Sequence, residues 1–198
     1  MIDVDIRARH LGGVQVLGRI AFTLARGETL AISGASGVGK TTLLRVLAGL
    51  DRDYDGTGRG TGRIAMVFQE PVLLPWRTVI DNIRLSAGVD DRTALAALDE
   101  VGLAPLGGQF PNQLSLGQQR RLSLARAFSA TPDLLLLDEP FVSLDPDLVE
   151  EMLSLTERLL AARSIATVLV THTQAEAKRL ATRRARLTGR PATLEILP

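Results

Sequence analysis

Apolar and polar positions change their period several times along the chain. From Ile2 to Ala8 apolar residues alternate with polar ones, and Ile20-Ala21-Phe22-Thr23-Leu24 does the same, so both stretches predict half-buried strands. Thr29-Leu30-Ala31-Ile32-Ser33 is a short, mostly apolar run, the pattern of a buried strand. Leu43-Leu44-Arg45-Val46-Leu47-Ala48 follows with helical character and stops at Gly49. Beyond Leu50, Asp51 to Asp55 and glycines at 56, 58, 60 and 62 predict a flexible hairpin or turn, because no G-x-G-x-x-G register fits them. Arg63 to Phe68 reads as a strand ending at Gln69.

The character then changes. Pro71 to Trp76 is an apolar loop, with helical patterns from about Thr78 to Ser86 and Asp91 to Val101. Pro105, Gly107, Gly108 and Pro111 interrupt the chain before a longer helical pattern from Leu116 to about Ala130, basic on one side through Arg120, Arg121 and Arg126. Strand character returns at Leu134-Leu135-Leu136-Leu137, and Asp145-Pro146 opens a helix with Leu148, Val149, Met152, Leu155, Leu159 and Leu160 at helical spacing. Ile165 to Val170 is another buried strand, ending at Thr171-His172. A short helix from Gln174 comes next, and Arg184 to Leu187 and Thr193 to Ile196 predict edge strands. Strands alternating with helices predict an α/β fold with a largely parallel sheet and a ligand at the carboxyl ends of its strands. Residues about 71–130 form a predicted helical subdomain inserted between core pieces of about 1–70 and 131–198, within a single domain spanning 1–198.

Composition narrows the class. A chain of 198 residues, 45% hydrophobic, supports one sizeable core. The formal net charge of +1 supplies no footprint for nucleic acid. With no cysteine, disulfides and thiolate metal sites are excluded, and two histidines, His10 and His172, exclude a histidine-rich metal site. No apolar run is long enough to cross a bilayer, and Met1 to Ile6 has no secretory pattern, so a soluble domain in a reducing compartment is expected.

Chemistry concentrates at a few stations. Gly34-Ala35-Ser36-Gly37-Val38-Gly39-Lys40-Thr41-Thr42 stands between the predicted strand and helix, the context that makes a G-x-x-x-x-G-K-T string a phosphate-binding loop. Its glycines let backbone N–H groups converge on an anion, and the helix start adds partial positive charge. Lys40 is then expected on the terminal phosphates and the Thr41 hydroxyl on Mg²⁺. Asp138, after four leucines, is placed to hold that ion, and Glu139 to orient or deprotonate a water. Ser115 and Gln118 match a capping box, while a serine at a helix start beside Gly117 also makes an anion site. Taken singly, Gln69 and His172 read as polar strand ends, and the basic residues from Lys178 to Arg190 as a solvated face. Trp76, the single tryptophan, fits either the core or an exposed protein contact.

The order of GASGVGKTT, Gln69, LSLGQ, LLLLDEP, SLD and His172 resembles the ATP-binding cassette family, the nucleotide-hydrolysing subunits of ABC transporters. The resemblance covers nearly the whole chain. It implies a P-loop NTPase fold of ABC ATPase type, with antiparallel N-terminal strands beside the parallel core. It further implies ATP and Mg²⁺ as cofactors, with Lys40, Thr41 and Thr42 on the phosphates and ion, Gln69 sensing Mg²⁺ and the attacking water, Asp138 in the ion's shell and Glu139 as general base. Ser115, Gly117 and Gln118 would reach the ATP of a second copy in a head-to-tail dimer, Asp145 would sit at the dimer seam, and His172 would contact the γ-phosphate. The Pro71 to Val79 segment is similar to that of importers of the nitrate, sulfonate and taurine group. By that likeness the partners are a transmembrane permease and a separate substrate-binding protein, with the chain on the cytoplasmic face of the membrane and no nucleic acid expected. Leu116 replaces the first glycine of the usual LSGGQ, and Leu11 falls where the family stacks an aromatic on adenine, leaving His10 or Leu11 to substitute. The tail after His172 is short for the family, and no appended regulatory domain is expected. Two other readings are an ABC-type ATPase acting on nucleic acid or ribosomes, which lacks its usual paired cassettes here, and a nucleotide-dependent switch, which has little use for Glu139.

Overall fold

The computed structural model describes residues 1–57 and 62–198. A Gly12-Gly13 turn, with φ of 57° and 82°, folds β1 (Ile2–Leu11) back onto β2 (Val14–Leu17). Both turn residues need the left-handed backbone that glycine adopts without strain. Antiparallel pairing of β1 with β3 (Ile20–Leu24) and with β5 (Asp55–Thr57) completes this N-terminal sheet. The expected turn over the glycine-rich stretch therefore begins as a strand at Asp55, and its Gly58 and Gly60 lie outside the described residues.

The larger sheet carries the mainly parallel pattern. Its strands are β4 (Thr29–Gly34), β6 (Ile64–Val67), β7 (Leu134–Asp138), β8 (Ala166–Val170), β9 (Arg183–Thr188) and β10 (Thr193–Leu197), in the spatial order β10-β9-β4-β8-β7-β6. All neighbours run parallel except the β9–β10 hairpin. One expectation needs correcting: β9 is an interior strand, hydrogen-bonded to β4 on one side and β10 on the other. Its Arg-Ala-Arg-Leu alternation reflects one solvated face, with Ala185 and Leu187 buried and Arg184 and Arg186 exposed, and says nothing about which strands flank it.

The helices are α1 (Lys40–Leu47), α2 (Val79–Ala87), α3 (Asp91–Glu100), α4 (Leu116–Ser129), α5 (Pro146–Ala161) and α6 (Gln174–Leu180). Thr78, Asp90, Ser115 and Asp145 each accept a hydrogen bond from a backbone N–H of the first turn, which starts α2, α3, α4 and α5 where their sequences change from loop to helix. The four leucines of β7 divide between two cores. Leu134 and Leu136 join α1, β1 and β3 on one face of the sheet, and Leu135 and Leu137 join α2 to α5 on the other. A strand covered on both faces has no polar side, which is why this run reads as continuous. Among the described residues no helix is long and apolar enough to cross a membrane.

The loop after β6 is held by a side chain that the sequence does not advertise. Asn82, on α2 and fully buried, accepts from the Leu74 N–H (2.7 Å) and donates to the carbonyls of Leu74, Arg77 and Thr78 (3.2, 3.2 and 2.9 Å). Asn82→Ala should destabilise the fold by about 2–4 kcal/mol, because several buried backbone groups lose their partner at once. Urea denaturation measures this; a loss below about 0.5 kcal/mol would mean the loop is fixed by other contacts.

Candidate active site

Register brings the predicted residues to one edge of the sheet. Ile32 of β4 pairs with Val170 of β8, and Val170 pairs with Asp138 of β7. The phosphate loop, Glu139 and Thr171-His172 therefore leave three adjacent parallel strands at one level, at their carboxyl ends. Val67 of β6 pairs with Leu137 of β7, so Gln69 and Glu139 each stand two residues beyond a matched pair.

The phosphate loop depends on its glycines at two points. A side chain at Gly34 would place its Cβ 2.7 Å from the Leu187 carbonyl oxygen of β9. At Gly39, where φ is 112°, it would lie 2.8 Å from Leu17 Cδ2. Gly39 opens α1 without a side-chain cap, and the first turn contains no acidic residue, so the positive end of the helix is left for an external anion. Thr41 and the Ala35-Ser36-Gly37 turn are exposed.

Lys40 is buried, and its Nζ folds back to donate to the carbonyls of Gly34 (3.0 Å) and Ala35 (3.2 Å). It lies 3.5 Å from Glu139 Oε1. Thr41 Oγ1 donates to Asp138 Oδ2 at 3.1 Å. Burial pushes the Asp138 carboxyl above its ordinary pKa; the Thr41 hydrogen bond opposes this, the Glu139 charge adds to it, and the Lys40 charge opposes it. Two carboxylates in succession at a buried strand end are a cation-seeking arrangement. Hydroxyl and carboxylate oxygens beside an uncapped helix start suit a hard divalent ion bound together with phosphates. Among the described residues no group of three or more His, Cys, Asp or Glu could hold a metal ion.

Glu139 has φ of 46°, a left-handed conformation unusual for a residue with a side chain. Its N–H donates to the Val170 carbonyl (3.0 Å), and Oε2 lies 3.7 Å from Nδ1 of the largely exposed His172. The turn bearing His172 is anchored from behind: the Thr171 hydroxyl donates to buried Glu176 and accepts from the Thr173 N–H at 3.0 Å. A cleft of about 650 Å³ is lined by residues of the Ser33 to Val38 turn, His172, Gln174 and the arginines Arg186 and Arg190.

The remaining predicted residues form a second cleft, of about 510 Å³, lined by Ser115, Leu116, Gly117, Gln118 and Asp145. The capping box is present. Gln118 N–H donates to Ser115 Oγ (3.3 Å), and Ser115 N–H donates to Gln118 Oε1 (2.9 Å). Gly117 is buried against Leu148, whose Cδ1 would lie 2.9 Å from an added Cβ. Asp145 caps α5 by accepting from the Leu148 N–H at 3.0 Å. Lys40, Thr41, Asp138, Glu139 and His172 thus share one neighbourhood, and Ser115, Gly117, Gln118 and Asp145 another. Leu11, where an aromatic was sought, is exposed, as is His10. Trp76 is exposed too, at 70%, which removes the core reading for it.

The basic side predicted for α4 is only partly solvated. Arg120 is 5% exposed and hydrogen-bonds to the backbone carbonyls of Gln69 and Val142 (the latter at 3.3 Å). A charge in a helix pattern suggests water, whereas here the acceptors come from segments 51 and 22 residues away in sequence.

Known proteins match this architecture. The family described as ABC transporter matches residues 17–142. An aliphatic sulfonates import ATP-binding protein, SsuB, of Mycobacterium sp. (strain MCS) is 48% identical over 88% of this chain and 74% of its own length. A protein of the same description from Rhodococcus jostii (strain RHA1) is 43% identical over 91% of this chain and 76% of its own. Among solved structures, a dimeric post-hydrolysis state of the ATP-binding cassette MJ0796, bound to ADP and Pi, superposes with a TM-score of 0.82 at 25% identity, covering 100% of this chain and 99% of that one.

Proposed function

Given that the chain belongs to the ABC transporter family as an ATP-hydrolysing subunit of the import type, we propose that it drives import through a membrane permease by ATP-dependent closure of a homodimer. One observation carries the reading: Lys40, Thr41, Asp138 and Glu139 converge at the carboxyl edge of the parallel sheet beside an uncapped helix start. Lys40 and the N–H groups from Gly37 to Thr42 hold the ATP phosphates, drawing the Lys40 ammonium off its own carbonyls. Thr41, Asp138 and Gln69 would hold Mg²⁺, which when bound would offset the negative charge of the phosphates. Glu139 takes the proton of the attacking water, Gln69 orients that water, and His172 faces the γ-phosphate. ATP and water become ADP and phosphate.

Ser115, Gly117, Gln118 and Asp145 serve the ATP of the second copy, which accounts for an anion-suited helix start away from Lys40. The segment about 71–130 works as the helical subdomain of the ATPase, set against core pieces of about 1–70 and 131–198. Exposed Trp76 and Val72, on the loop braced by Asn82, form the face toward the permease. In this reading the chain sits peripherally on the cytoplasmic side of the membrane, with a separate substrate-binding protein completing the importer. The import names of the relatives favour the nitrate, sulfonate and taurine group.

Affinity capture of the full chain from detergent-solubilised native membranes tests the assignment. A polytopic membrane protein should co-purify. Recovery of nucleic acid or ribosomes in its place would overturn the transport role.

A further inference from the structure

One stripe of α4 is spent on the backbone of the segment after β6. Arg120, Ser123 and Arg126 succeed one another at three-residue spacing, which keeps them on neighbouring positions of the helix surface. Arg120 donates to the Gln69 carbonyl, Ser123 to that of Pro71 (2.7 Å), and Arg126 to those of Val72 (2.8 Å) and Pro71 (3.2 Å). Arg120 differs from the other two, because its second amino group crosses to the Val142 carbonyl at 3.3 Å.

That crossing joins the two halves of the hydrolytic machinery. Val142 N–H donates to the Glu139 carbonyl at 3.3 Å, so Val142 closes the turn that Glu139 opens. Gln69 and Glu139 leave adjacent strands at matched positions, and one planar guanidinium links the Gln69 carbonyl to the Val142 carbonyl of the Glu139 turn. The left-handed backbone of Glu139 needs such external support to persist. Arg120 also keeps a buried Nε with no hydrogen-bond partner among the described residues. A side chain serving packing alone would gain nothing from that unpaired donor, whereas the fork is needed to span two carbonyls.

We propose that Arg120 is a positioning residue for ATP hydrolysis, tying the backbone at Gln69 to the Glu139 turn so that the two side chains keep one separation as α4 carries Ser115. The inference rests on the chain being an ATPase that uses Gln69 and Glu139. Arg120 lines neither of the two clefts and acts through the two segments it bridges.

The test is steady-state ATPase kinetics on the full chain and three variants, with thermal melting of each. Arg120→Leu should lower kcat about tenfold or more while KM for ATP stays within about threefold, the signature of an interaction that matters during reaction rather than binding. Arg120→Lys should recover part of the loss, since an ammonium reaches one carbonyl but cannot fork to both. Arg126→Leu, which loosens only Pro71 and Val72, should keep kcat within about twofold. The role is overturned if Arg120→Leu retains kcat, if Arg126→Leu loses as much, or if kcat and KM worsen together in step with a fall in Tm. Should Arg120→Leu fail to fold, the same split is read on Arg120→Lys, and an unchanged kcat there overturns the fork. A parent chain that binds ATP without hydrolysing it would remove the ATPase reading itself, a result distinct from an active parent with indifferent variants.

Discussion

Glu139→Gln should abolish turnover while leaving ATP bound. The amide keeps the size of the side chain but cannot accept the proton of the attacking water, so the rate is expected to fall by about 10²–10⁴-fold. Affinity should hold or rise. Glu139 places a negative charge 3.5 Å from the Lys40 ammonium and next to Asp138, where the γ-phosphate must add more. Removing that charge lessens repulsion in the bound state and frees Lys40 for the phosphates. Because binding then outlasts hydrolysis, the ATP-bound dimer should accumulate, and light scattering with Mg-ATP should report twice the monomer mass. A variant that stays monomeric would count heavily against a shared site, and one that hydrolyses at the parental rate would remove Glu139 as the base.

Lys40→Ala is expected to be the most damaging change to nucleotide binding. Lys40 is a buried cation in the phosphate loop, held by two backbone carbonyls that it can exchange for phosphate oxygens. Its loss should weaken ATP binding by about a hundredfold or more, equivalent to about 2.7 kcal/mol. Alanine suits the first turn of a helix, so circular dichroism should show α1 and the fold intact. Calorimetric titration with ATP reads the effect directly. An affinity within about threefold of the parent would sink the phosphate-loop assignment.

The two variants are expected to separate binding from chemistry, because the residues stand on different elements. Lys40 sits on the helix after β4, and Glu139 on the turn after β7, with β8 between these strands. Strand register, not any local motif, brings them within 3.5 Å. Arg120 belongs to the same level of organisation, since its acceptors are carbonyls contributed by two distant turns.

Much of the fold was legible because local rules and tertiary demands agree. The run Leu134 to Leu137 announced a strand buried on both faces, and alternation announced β1 and β3. Ser115 announced the start of α4 through its capping box, whereas α1 begins at Lys40, three residues ahead of the helical run read from Leu43. Less legible were β2, a four-residue strand behind the Gly12-Gly13 turn, and β9, whose half-polar pattern resembles an edge although it lies inside the sheet. Asn82 and Arg120 gave no usable signal. Each is a polar residue in a helix, and a polar residue is expected in water unless its acceptors are known.

By itself, then, the sequence determined the glycine-rich turn between β4 and α1, the acidic strand end and the capped helix of LSLGQ, because each is a short pattern whose backbone geometry resides in neighbouring residues. Tertiary structure alone decided the rest: which strands lie side by side, that Glu139 faces Lys40 and His172, and that Ser115 and Asp145 share a cleft distinct from the phosphate loop. Those relations depend on register between strands far apart in the chain and on backbone carbonyls that no residue type encodes. Local pattern chose the parts, and long-range pairing set the distances at which they can react.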